Sequence, residues 1–270
     1  MYLIVKEKTL IIAQNTDLVN YVQCAEQLAK SIVRVMPDAK VSLITDNETT
    51  STVFDQIIPL PYGDQAPDSD WKLINDWQVY EASPYEYTIK LEADIYVPQS
   101  IDYWWDILKE RDLVVSTTIR NFKQNISPVR AYRHFVDDNN LPDTYNAITY
   151  FKKSETAKKF YDIVRHMFEN WTDFRDTLQC NPGELATTDW IYAYASHLVG
   201  VEKTTLPMFT DMSMVHMKQF INTMPTENWT DTLVYEIHPH TLRVNTIPQM
   251  YPFHYHIKSF SAILEESFNE

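Results

Sequence analysis

The sequence predicts an α/β protein whose helices flank a largely parallel sheet. The chain opens in the order strand, helix, strand, strand, a pattern that lays consecutive strands side by side in one direction. Further apolar runs then alternate with segments of helical period to about residue 200. At 44% hydrophobic and 13% aromatic, the 270 residues supply enough apolar surface for a sizeable core, which argues against disorder. One domain with a C-terminal extension is expected.

Thr9 to Ala13 is a short apolar run, and Gln14-Asn15-Thr16-Asp17 after it are loop and helix-cap types. Val19, Val22, Leu28, Ile32 and Val35 recur at helical spacing until Pro37-Asp38 stops the helix. Lys40 to Asp46 and Gln56 to Leu60 read as the next strands. Ligands of such a sheet bind beyond the carboxyl ends of the strands, which puts Gln14 to Asp17 and Asp46 beside the ligand. A Pro, Gly and Asp rich loop fills 61–70, and Trp71 to Tyr80 predicts a helix ending near Ser83-Pro84. Ser100 to Arg111 predicts another helix, Asp112 to Thr117 and Tyr145 to Phe151 strands, Ser154 to Trp171 a long helix, and Glu184 to Tyr194 a further one.

The strand between these, Tyr87 to Pro98, is interrupted by Glu92 and Asp94. Buried carboxylates lose hydration unless they are paired or bind a cation. Acids two apart on a strand share a face, so at a strand end both can address a hard metal ion holding a diphosphate. The alternative is a pair of solvated acids.

Other totals exclude whole classes. Three glycines leave no room for a Gly-rich dinucleotide fingerprint or a P-loop. A net charge of -14 disfavours broad binding to nucleic acid or anionic membrane. Against that background, Arg120, Lys123, Arg130 and Arg133 form an acid-free block fit for a polyanion, and Lys152, Lys153, Lys158, Lys159 and Arg165 follow as a helix face or a second patch. Cys24 and Cys180 make no metal spacing and no disulfide framework, and no signal peptide or membrane-spanning run is seen, so a cytoplasmic protein is expected. Five of the eight histidines fall after residue 200: His216, His238, His240, His254 and His256. His216 with Lys218, and His256 with Lys258, each pair an imidazole with a lysine on one strand face, a metal ligand beside a phosphate-binding cation.

The order of these pieces resembles glycosyltransferases of the GT-A fold, most closely the glycogenin-like branch, including those encoded by tailed phages. Leu10 to Tyr21 matches the base-holding first strand and loop, Trp71-Lys72 the helix before the acids, Lys90 to Val97 the D-x-D segment, Tyr145 to Phe151 the acceptor-side strand, and Thr188-Asp189-Trp190 the later acid-led helix. The likeness spans about residues 9 to 200 and rests on order and spacing. It implies a Rossmann-like mixed sheet flanked by helices, with residues 1–200 binding the nucleotide sugar and acceptor, and 201–270 completing the same site.

The resemblance further implies that Asp94 binds Mn²⁺ or Mg²⁺ with Glu92 in the place of the first Asp, that Lys72 contacts sugar or diphosphate, and that Gln14, Asn15, Thr16, Asp17 and Tyr21 hold the nucleoside. Glu for Asp departs from the family and leaves open how the two acids divide ribose and metal. The family's C-terminal metal His and phosphate Lys fall to His256 with Lys258, His216 with Lys218 being the rival. Asp189 is the candidate base for an inverting route, or else a residue that favours its helix dipole. The activity implied is transfer of a sugar from a nucleoside diphosphate, UDP above all, to an acceptor hydroxyl, with cation and lysine stabilising the leaving phosphate. The acceptor is a hydroxymethylated base in DNA, reached through the basic block, or a saccharide or protein hydroxyl. A nucleotidyltransferase is disfavoured by the missing Gly-rich loop, and a non-catalytic sugar-binding protein is the rival of another class.

Overall fold

A computed structural model of the chain describes residues 7–126, 134–179, 183–206, 212–216, 233–238, 241–255, 257–258 and 260–269. In chain order the first half forms β1 (Glu7–Ile12), α1 (Tyr21–Val35), β2 (Val41–Ile44), β3 (Gln56–Ile58), a 3-10 helix (Lys72–Gln78), α2 (Val79–Ala82), β4 (Tyr87–Glu92), β5 (Ile95–Tyr96) and α3 (Trp104–Leu108). There follow β6 (Leu113–Ser116), β7 (Ile119–Arg120), α4 (His134–Asp138), β8 (Tyr145–Lys152), α5 (Glu155–Glu169), α6 (Trp171–Arg175), α7 (Thr188–Val199) and α8 (Val201–Thr204). The last part adds β9 (Met214–His216), β10 (Tyr235–His238), β11 (Thr241–Val244), β12 (Ile247–Pro248), β13 (Phe253–His254) and α9 (Phe260–Asn269).

Local chemistry explains the long helices. Asn20 caps α1 by accepting from the Gln23 amide at 2.9 Å, and Val22, Ala25, Leu28, Ala29 and Ile32 make one buried stripe. Ser154 caps α5 likewise, and its stripe runs from Ala157 to Phe168. Helix α7 starts at Thr188 with Thr187 in the N-cap position, one of the two threonines the sequence offers as its cap, and Gly200, at φ 117°, turns the chain from α7 into α8.

Among the described residues, six strands form the main sheet in the order β3-β2-β1-β4-β8-β6. The first four run parallel, as expected, whereas β8 is antiparallel to both of its neighbours. Both faces are covered: Ile11, Leu43, Ile89 and Leu91 pack towards α1, and Leu10, Ile44 and Phe151 towards α5 and α7. A second sheet, β5-β13-β9-β7, carries the last part of the chain back to the end of β4. There His254 lies opposite Ile95 on β5 and opposite His216 on β9.

Candidate functional site

The site begins where β4 stops. Residues 92–96 are not one strand: β4 ends at Glu92, Ala93-Asp94 turn, and β5 joins the second sheet. The acids therefore converge through a bend between two sheets instead of along one strand face. The Tyr255 amide donates to the Asp94 carbonyl at 3.1 Å, and this latches the C-terminal strand to the bend. His254 Nε2 then lies 3.1 Å from Asp94 Oδ1 and 3.4 Å from Glu92 Oε2. One ligand atom from each of Glu92, Asp94 and His254 falls within 4.8 Å of the others. Lys258 ion-pairs with Asp94 Oδ2, with its ammonium 5.4 Å from the centre of the Tyr21 ring.

Burial strains this cluster electrostatically. It pushes the Glu92 carboxyl up, and His254 and Lys90 only partly offset the push, to which Asp94 adds. Burial acts on Asp94 too, but His254 and Lys258 overcome it and hold that carboxyl well below its usual range. Burial lowers Lys258, yet the Asp94 carboxylate leaves it raised. Two carboxylates beside one imidazole make a donor set suited to a hard divalent cation such as Mn²⁺ or Mg²⁺. His254 Nδ1 is buried with no hydrogen-bond partner among the described residues, so the ring is positioned by its strand pairings and by packing.

A cleft of about 500 Å³ opens over these residues. Gln14, Thr16 and Tyr21 line it, together with Trp71 and Lys72 and with Thr187, Thr188 and Asp189. Gln14 Nε2 reaches both oxygens of Asp46 at 3.2 and 3.3 Å and its Oε1 accepts from Asn75 at 2.7 Å, so Gln14 and Asp46 hold each other at the strand ends. Asn15 and Asp17 do not border the cleft. Asn15 accepts from the Val22 amide at 3.0 Å, and the Asp17 amide donates to Asp70 at 2.9 Å, so both shape the loop. Lys72 borders the cleft with its ammonium engaged, 2.6 Å from Asp64 and 2.7 Å from the Ala66 carbonyl. Trp71 Nε1 donates to the Ala186 carbonyl at 2.5 Å and ties the start of the 3-10 helix to the segment that leads into α7.

Other expected residues lie apart. His216 is buried behind the cluster, its ring centre 4.8 Å from that of His254 and its Nε2 hydrogen-bonded to the Tyr145 hydroxyl. Opposite positions on parallel neighbours point to one face, which is why these two rings meet, edge to face at an interplanar angle of 83°. His256 and Lys218, like Arg130 and Arg133, fall outside the described residues. Arg120 bonds the Ser213 hydroxyl and the Gln124 carbonyl at 2.7 and 2.9 Å and packs over Tyr251, while Lys123 is exposed.

Among the described residues the histidine beside the two acids is His254, which the sequence reading did not single out as a ligand; the favoured His256 lies outside them. The signal for His254 was faint, since β13 is two residues long and the pairing that matters is with residue 95. Asp76 and Lys90 were also passed over as site residues. A lysine between Ile89 and Leu91 in an apolar strand was visible.

No family model matches the chain, and no curated protein does. Its fold is that of GT-A glycosyltransferases. The galactosyltransferase LgtC, solved with donor and acceptor sugar analogs, is similar over 96% of this chain and 95% of its own, at 12% identity and a TM-score of 0.57. Mouse xyloside xylosyltransferase 1 in its apo form is similar over 93% of this chain and 98% of its own, at 12% identity and a TM-score of 0.52. These likenesses are of architecture.

Proposed function

We propose that the chain is a metal-dependent glycosyltransferase that moves a sugar from a nucleoside diphosphate, most naturally UDP, to an acceptor hydroxyl. The observation that carries this reading is the Glu92, Asp94 and His254 cluster beneath a cleft of about 500 Å³ at the carboxyl ends of parallel strands. Glu92, Asp94 and His254 would hold a divalent cation, which would neutralise charge developing on the leaving diphosphate. Lys258 supplies a second positive charge there, and Lys72 borders the same cleft with its ammonium held by Asp64 and the Ala66 carbonyl. Gln14, Thr16 and Tyr21 form the nucleoside end, with Asn15 and Asp17 setting its loop. Asp189, which also lines the cleft, would receive the proton of an acceptor hydroxyl.

For the acceptor, the disposition of Arg120 favours a saccharide or protein hydroxyl over a base in DNA, because its guanidinium is committed within the fold. No helix among the described residues is long and apolar enough to cross a membrane. The glycogenin-like placement and a phage source rest on motif order alone. Calorimetry with UDP-sugars, with and without Mn²⁺, tests the reading, together with hydrolysis of the donor. Metal-dependent binding and slow hydrolysis, both abolished in Asp94→Ala, are expected. Binding without hydrolysis would identify a sugar-binding protein on this fold, and no binding at all would refute the donor.

A further inference from the structure

We infer that Asp76 reads a hydroxyl of the transferred sugar and so sets which donors the cleft accepts, an inference that rests on the donor reading above. Asp76 is 3% exposed, yet it borders the cleft together with Glu92, Asp94, Tyr145 and Asp189. Its carboxylate faces an ammonium in the sheet: Lys90, 0% exposed on β4, holds Nζ 2.6 Å from Asp76 Oδ1 and 3.3 Å from the Asn146 carbonyl. The other oxygen accepts from Asn146 Nδ2 at 3.2 Å and from the Tyr192 hydroxyl. Burial, reinforced by the Asp76 charge, pushes the Tyr192 phenol well above its usual range, which keeps it a donor.

An ionised carboxylate offers about four acceptor positions. Lys90, Asn146 and Tyr192 fill three, all from within the protein, and the cleft adjoins the remainder. Such a group, already oriented by three fixed donors, accepts from a hydroxyl without rearranging. Stability alone does not account for the pair, since burying two charges gains little over apolar residues of similar volume. The cation and diphosphate roles are assigned to Glu92, Asp94, His254, Lys258 and Lys72, so the ligand group left to meet Asp76 is the sugar. An acceptor-only carboxylate demands a donor and rejects a deoxy or fluoro carbon at that ring position.

The test uses the full chain with Mn²⁺, UDP-glucose and UDP-galactose, and the monodeoxy analogues of each at every ring hydroxyl. In the wild type, removal of one hydroxyl is expected to lower kcat/KM for donor hydrolysis by about 10²-fold or more, and removal of the others far less. In Asp76→Asn that selective loss shrinks to a few-fold. Asp76→Asn/Lys90→Met removes both charges together, serves should the single variant fold poorly, and is expected to show the same narrowing. A wild type indifferent to every deoxygenation overturns the inference, as does a folded variant that keeps the wild-type profile. A wild type that binds neither UDP-sugar overturns the donor reading itself, a result distinct from an active enzyme with an unmoved profile.

Discussion

Asp94 sits between His254 and Lys258, and its acid behaviour follows from that position. Its carboxyl stays ionised in the folded protein at pH values where the unfolded chain takes up a proton, so its contribution to stability is present above the ordinary carboxylate pKa, about 4, and is lost as pH falls through the depressed folded value. Urea melts of the metal-free protein should show a shallower acid limb in Asp94→Asn. Glu92 has the opposite sign, because a raised carboxyl penalises the folded state when ionised and the penalty fades as pH falls through the raised value. Glu92→Gln should therefore be more stable than wild type in neutral, metal-free buffer while binding Mn²⁺ more weakly, by unfolding midpoint and calorimetry respectively. The acids were legible in the sequence because charge inside an apolar run is conspicuous. His254 was not, because the identity of the histidine facing them depends on a register between residues far apart in the chain.

At the scale of elements, α1 was readable because cap, period and Pro37 all agree. Asn20→Ala should cost about 1 kcal/mol through the lost cap, seen as a lower denaturant midpoint with unchanged cation affinity. Gly200→Ala should cost more than about 1 kcal/mol, since φ is 117° and an added Cβ would stand 2.8 Å from the Glu202 carboxylate. The helix expected over residues 71–80 is present, but Lys72–Gln78 is wound as 3-10 and only Val79–Ala82 is α-helical. Asn75 and Gln78 are buried and accept from the Gln65 and Tyr62 amides at 2.9 and 3.0 Å, so the loop's backbone needs, not propensity, shape the turn. The two-residue strands β5, β7 and β13 are too short for alternation to be seen.

For the whole molecule, the parallel opening was foreseeable, while the antiparallel β8 and the second sheet depend on contacts that no local pattern records. That sheet brings His254 to the end of β4, where Lys258 also meets Asp94, so the proposed ion links distant parts of the chain. Saturating Mn²⁺ should then raise the melting temperature, with about 2.7 kcal/mol added at a hundredfold excess over Kd, and His254→Ala should abolish the rise. Helix α9 supports this closure through the buried Phe260 and Leu264, and deleting residues 259–270 should weaken Mn²⁺ binding and lower the melting point together. The glycines carry a different implication. Gly63, Gly183 and Gly200 all take positive φ, and none borders the cleft. Every lining position bears a side chain, so single codon changes can rewrite what the protein selects while the sheet beneath is inherited intact.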